Sequence, residues 1–306
     1  MRERATALTL LLLLVAVAFV APSFYSARNL LALLVDNAAT LIVAIGMTMV
    51  ILVGHIDISI GSQFAVASVI TGLLAKSGAP ALAAVVGGMF AGGAMGSLNG
   101  VLVARLRIPS IVVTLATMVT LRDSLRWATQ GRWVQDLPAG FQWAGLSQAK
   151  GELLILAITG ACFAAFAWSL ANLPSGRALY ATGSNVEAAR LAGIEPPRVF
   201  FRVFACMGIL SGLAAALNAI RFSEVQSNSG VGLELKAIAA VVVGGASITG
   251  GRATLIGTLL GVMLLGVIGP TLTFAGINAF WEKAIEGVII LAAVAADSRR
   301  GDAAAT

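Results

Sequence analysis

Residues 32–62 read ALLVDNAATLIVAIGMTMVILVGHIDISIGS. The apolar run Ala32–Val53 stops at Gly54 and gives way to a polar segment. That segment holds His55, the only histidine, and the carboxylate of Asp57; a second apolar run follows Gly61 and Ser62. A run of about 20 residues is what the roughly 30 Å hydrocarbon layer of a bilayer demands of a helix. A carboxylate between two such runs is costly in lipid and needs protein or water around it. This stretch predicts an all-α polytopic membrane protein with a broken helix at a functional position.

The rest of the chain repeats the pattern. Apolar runs also cover residues 5–21, 62–75, 81–103, 110–127, 152–170, 199–220, 235–248, 253–269 and 280–296. About ten transmembrane helices are expected, or eight to ten because three runs are short, in a single transmembrane domain over 1–306. Of 306 residues, 58% are hydrophobic and 11% charged, against about 25% charged in soluble domains. Too few polar side chains exist to cover a soluble enzyme, and the chain is far too apolar to be disordered. The run at 5–21 reads as a retained span rather than a cleaved leader, because many spans follow it.

The net charge of +6 suggests membrane anchoring, not nucleic acid. Arg2, Arg4, Arg105, Arg107, Arg177, Arg190, Arg198, Arg252, Arg299 and Arg300 flank apolar runs, as basic residues do at the cytoplasmic face. Both termini are then cytoplasmic. Arg122, Arg126, Arg132 and Lys150 fall outside on this orientation. The segment 122–150, with Trp127, Trp133 and Trp143, is expected as an external loop or an interfacial stretch. Asp36-Asn37 is expected at a hydrated helix end. Cys162 and Cys206 lie within apolar runs and read as packing residues. One histidine makes no zinc site, and no metal is expected.

Two glycine patterns stand out. Gly88, Gly92, Gly96 and Gly100 recur every fourth residue, which smooths one helix face for close packing, within the chain or at a dimer seam. The second pattern is an internal match at an offset of 190 residues. Gly54, Asp57, Ser59 and Gly61 align with Gly244, Ser247, Thr249 and Gly251. Paired interruptions in two halves of a chain point to a transport path, here lined by His55, Asp57, Ser59, Gly61, Ser247 and Thr249. The alternative is a pair of polar turns between spans, and the depth of 54–62 stays open between midplane and inner surface.

The loop at about 171–198 carries a helix signal. Ser184-Asn185-Val186-Glu187 reads as a capping box, with Ser184 as the cap. Gly193 is a left-handed stop and Pro196-Pro197 bars continuation. A helix over 185–192, thinned by Ala188, Ala189 and Ala192, suits a partner's groove or the surface of its own membrane domain. None of Lys76, Lys150, Lys236 or Lys283 follows a glycine, so the chain has no phosphate loop of the Gly-x4-Gly-Lys kind. Energy must come from a partner or an ion gradient.

At these residues the chain resembles the ribose-type permeases of ATP-binding-cassette (ABC) importers. Glu187-Ala188-Ala189 with Gly193 is similar to the "EAA" loop of importer permeases. The segments 54–62, 99–104 with 106–109, 111–118, 176–185 and 237–245 with 250–252 are similar to the sugar branch. The family carries a second glycine where this chain has His55, a departure that suits a subgroup such as the rhamnose or autoinducer-2 branch. The resemblance implies a bacterial inner-membrane permease that is not itself an enzyme. It implies a second permease copy or paralogue, a periplasmic sugar-binding protein, and an ABC ATPase that holds ATP and Mg; this chain would hold no cofactor. Ser184, Asn185, Glu187, Ala188, Ala189 and Gly193 would couple to that ATPase. A branched-chain amino-acid permease, an ion-coupled secondary transporter and an intramembrane enzyme are the rival readings. The last would need more than a lone histidine beside Asp57.

Overall fold

A computed structural model describes residues 2–278, 281–285, 287–289 and 291, which form a helical bundle with no strand among them. The helices are α1 (Arg2–Val20), α2 (Ala27–Leu52), α3 (Ile60–Lys76), α4 (Ala81–Ala104), α5 (Ser110–Thr129), α6 (Gln148–Asn172), α7 (Pro174–Ser184), α8 (Val186–Leu191), α9 (Pro196–Ala219), α10 (Leu233–Val243) and α11 (Leu255–Phe274). The last expected run, 280–296, falls partly outside the described residues, and Arg299 and Arg300 wholly so.

Five helices, α2, α4, α6, α9 and α11, are long and apolar enough to cross a membrane. They divide by burial. α2, α9 and α11 are mostly enclosed by other helices, whereas α4 and α6 leave most of their apolar surface uncovered, as lipid-facing helices do. α1 packs Val17 against Val267 of α11, and its Thr6 hydroxyl donates to Val243 O at 2.6 Å.

The short runs differ from expectation. The run 235–248 yields only the 11-residue α10, about 16 Å long at 1.5 Å per residue. That is about half of the roughly 30 Å hydrocarbon layer. α3, with 17 residues, is also short, and each is preceded by a non-helical stretch, 220–232 and 53–59. Asp36-Asn37 is a further correction: it lies inside α2, not at a hydrated end. Asp36 pairs with Arg221, and the 96%-buried Asn37 donates to Leu33 O at 2.8 Å.

The glycine strip of α4 faces α9. A side chain at Gly92 would collide with Gly208 O, and one at Gly96 with Phe204 O. Gly88 meets Thr71 and Gly212, and Gly100 meets Phe201. α10 and α11 repeat the device, with Gly257 against Gly244 and Gly261 against Ala240.

The bundle has two distinct ends. At one lie α7, α8, the end of α2, the start of α9 and the start of α11. At the other, the 130–147 segment crosses the bundle: Val134 and Val225 exchange backbone hydrogen bonds at 2.9 Å, and Trp143 N donates to Ile220 O at 2.7 Å. Lys76 reaches Gln135 O at 2.9 Å. Arg122 and Arg126 are not in this segment; they belong to α5.

Candidate substrate path and coupling segment

Gly54, at φ +79°, ends α2, and the chain then runs extended to α3. Asp57 organises the connection. Its carboxylate accepts from Ser59 N at 2.9 Å, Ser59 Oγ at 2.6 Å and Gln63 Nε2 at 3.2 Å. The carboxyl group sits beside the start of α3, whose first amides have no acceptor within the helix. Gln63 Nε2 also donates to Ser59 Oγ at 2.7 Å, as does Asn99 Nδ2 at 2.9 Å, and Thr117 Oγ1 donates to Asn99 Oδ1 at 2.7 Å. One network therefore joins the 53–59 segment to α3, α4 and α5. Asp57, Ser59, Gln63 and Asn99 have 0% exposure. Their first task is to hold three helices together, because each donor finds an acceptor away from water.

The other expected path residues divide. His55 is half-buried, with Nδ1 3.2 Å from Ser110 Oγ and its ring edge-on to Phe200 at 4.4 Å. Gly61 does not break a helix: it lies in the first turn of α3, and its missing side chain makes room for the Glu234 carboxylate and Gly230 O. Ser247 is 3% exposed and bonds Thr249 through their hydroxyls at 2.9 Å, while Thr249 itself is exposed. The two glycine-interrupted segments meet: Gly251 N donates to Leu52 O at 2.9 Å, and Gly250 packs on Gly54. Both rest on the end of α7, where Gly183 allows Leu52 O to approach.

The coupling segment lies at this same end. The cap of α8 is Asn185, whose Oδ1 accepts from Ala188 N at 2.9 Å; Ser184 is the last residue of α7. This corrects the expected capping box. Glu187 does not reach back, because Arg190, one turn on, holds its two oxygens at 3.0 and 3.1 Å. Gly193 has φ +81° and ends the helix, with Ile194 N donating to Ala189 O at 3.0 Å. Ala189 is buried against the bundle, whereas Leu191 is 90% exposed. Tyr180 of α7 donates to Ala253 O at 2.9 Å. Burial and the nearby Glu3 carboxylate push its pKa up, so it keeps its proton.

Sequence reasoning missed several residues here. Gln63, Asn99 and Thr117 are amides and a hydroxyl inside apolar runs, a signal that was visible. Leu191 was hidden, since a leucine in an apolar chain is unremarkable until its exposure is known. Glu234, 7% exposed, and Arg122 of α5 approach at 3.9 Å; one lies at the start of an apolar run and the other within α5.

A family profile described as the permease component of branched-chain amino acid transport systems matches residues 29–294. The chain is 34% identical to the ribose import permease of Escherichia coli K12 over 97% of its own length and 94% of that protein. It is 35% identical to the ribose import permease of Bacillus subtilis 168, covering 96% of this chain and 92% of the relative. It is also 35% identical to the autoinducer 2 import permease of Escherichia coli O157:H7, over 97% and 87%. No solved structure matches the chain.

Proposed function

We infer the function from one premise: this chain belongs to the family of importer permease components, as a multi-pass membrane protein of the ABC class. On that premise it forms the path for uptake of a monosaccharide. The near full-length likeness to ribose import permeases carries the substrate class. The same likeness favours a sugar over a branched-chain amino acid. An ion-coupled carrier, which calls for buried carboxylates in several spans, is disfavoured: Asp36 pairs with Arg221, Glu234 with Arg122 and Glu282 with Lys236, which leaves Asp57 as the buried carboxyl group without a cation among the described residues.

The partners follow from the division of labour. A separate ATPase binds ATP and Mg and docks on α8, with Glu187, Ala188 and Leu191 outermost. A second permease, a copy or a paralogue, completes the path, and a periplasmic binding protein delivers the sugar. The basic residues at the α8 end, Arg177, Arg190 and Arg198, support a cytoplasmic reading of that end and of the N-terminus. ATP-driven closure would push α8 and, through α7, the joined segments 54–61 and 244–251. Their movement opens the path to one side at a time, because the ATPase binds the two states with different affinity. Thr249 and His55 are the members of the expected path set with surface to offer a sugar. Asp57 and Ser59 act from behind, by fixing the segment that carries His55.

The test is co-expression with an ABC ATPase and a sugar-binding protein. Reconstituted vesicles should take up a pentose or hexose in an ATP-dependent way. Leu191→Glu and Glu187→Arg should each lower ATPase co-purification and transport by about tenfold, the loss of a single good contact. Wild-type coupling in both variants would sink the docking role of α8.

A further inference from the structure

We propose that a cleft at the end of the bundle opposite α8 is a receiving site for a neutral monosaccharide, deepening the function inferred above and resting on it. The cleft has a volume of about 390 Å³, within the range of roughly 300–1,000 Å³ usual for small-molecule pockets. It is formed by Ser68 of α3, Asn218 near the end of α9, and Phe222, Glu224, Gln226 and Ser229 of the segment that leads into α10.

The chemistry of these groups is that of a polyol. A sugar offers hydroxyls that both donate and accept, and a C–H face without charge. Phe222 is 48% exposed and presents an apolar ring face to such a surface. Glu224 accepts only, while Asn218 and Gln226 do both. Ser68 is 1% exposed, and its hydroxyl has no partner among the described residues. That hydroxyl is enclosed in the wall, so the groups open to a ligand are those of Phe222, Glu224, Gln226 and Ser229. Among the described residues, no Lys or Arg lines the cleft. Nearby Arg221 lies over the Phe222 ring at 5.4 Å and pairs with Asp36. An amino-acid carboxylate or a sugar phosphate would find no cation there. The cleft at the α8 end differs: its wall is mostly aliphatic, from Ala167, Leu170, Ala171, Leu255 and Ile256, with the cation of Arg177 beside Tyr180 and Thr254.

The site is held in shape. The Val134–Val225 bridge fixes the backbone between Glu224 and Gln226, and Ser229 N closes a turn on Gln226 O at 3.2 Å. Gly230, at φ +78°, connects the cleft to Gly61 and so to Glu234 at the start of α10.

The experiment uses the complete importer in proteoliposomes, with Cys162→Ala and Cys206→Ala as background and Ser229→Cys as reporter. The probe is the monosaccharide that the wild-type assembly takes up best from a panel of pentoses, hexoses and 6-deoxyhexoses. Without binding protein, that sugar should slow maleimide labelling of the reporter at least about fivefold, while L-leucine should not. Phe222→Ala and Glu224→Gln should each raise the half-protecting concentration by about tenfold, the loss of one good contact. Gln226→Cys serves if the first reporter does not fold. Unprotected labelling in an importer that carries sugar, or protection indifferent to both substitutions, overturns the site alone. Protection by leucine overturns the ligand class, and an importer that carries leucine but no sugar overturns the function from which the site was argued.

Discussion

Asp57 is the residue on which the reading of the sequence turned, and its role shifted with its surroundings. A carboxylate in an apolar chain marks function or a buried partner set, and here three donors enclose it. Asp57→Ala would strand the Ser59 amide, the Ser59 hydroxyl and part of the Gln63 amide, at about 1–3 kcal/mol for each unmatched buried group. Asp57→Asn keeps an acceptor for Ser59 but sets one amide group against another at Gln63. The expected order of thermal stability in detergent is wild type, then Asn, then Ala. Transport should fall in the same order. An alanine variant as stable as wild type would remove the network role. The sequence announced the importance of Asp57, but not its partners, because Asn99 and Thr117 are far along the chain and arrive by helix packing.

At the scale of elements, glycine spacing and helix caps were the legible features. The strip on α4 was visible as a four-residue repeat; that it meets α9 depended on Gly208 and Gly212, which only the packed bundle sets opposite it. Gly92→Val drives a side chain into the backbone of α9 and should cost about 3 kcal/mol or more, at the upper end of overpacking. Gly160→Val on α6 meets nothing within 4 Å and should leave the melting temperature nearly unchanged. Equal melting temperatures for the two variants would contradict the tight α4–α9 seam. The end signal of α8 was read correctly at Gly193, whereas its start was misplaced by one residue. Ser184 and Asn185 are both good caps, and the choice fell to the one that α7 leaves free. Asn185→Ala should loosen α8 by about 1 kcal/mol, seen as faster amide exchange over 186–191 with the bundle unaffected.

Across the whole molecule, the pair Arg122–Glu234 ties α5 to the start of α10. Glu234 is almost wholly buried, while Arg122 keeps about a third of its side chain exposed. Arg122→Met should therefore destabilise by about 2 kcal/mol, less than the 3–5 kcal/mol of a fully buried broken pair. Adding Glu234→Gln to Arg122→Met should recover much of that loss, since no charge is then left alone. A double variant no better than the single one would show that the pair is not coupled. Composition, run length and flanking arginines by themselves determined a multi-pass helical protein, because the bilayer accepts few other solutions. They also marked the two interrupted segments and the short capped helix α8, since glycine, proline and caps act locally. Only the tertiary structure decided that both segments meet at the α8 end, that the run at 235–248 is a half-length helix, and that a polar cleft opens at the opposite end. Each of those depends on contacts between residues distant in the chain, and in a uniformly apolar sequence the pattern of hydrophobicity does not say which helix faces another and which faces lipid.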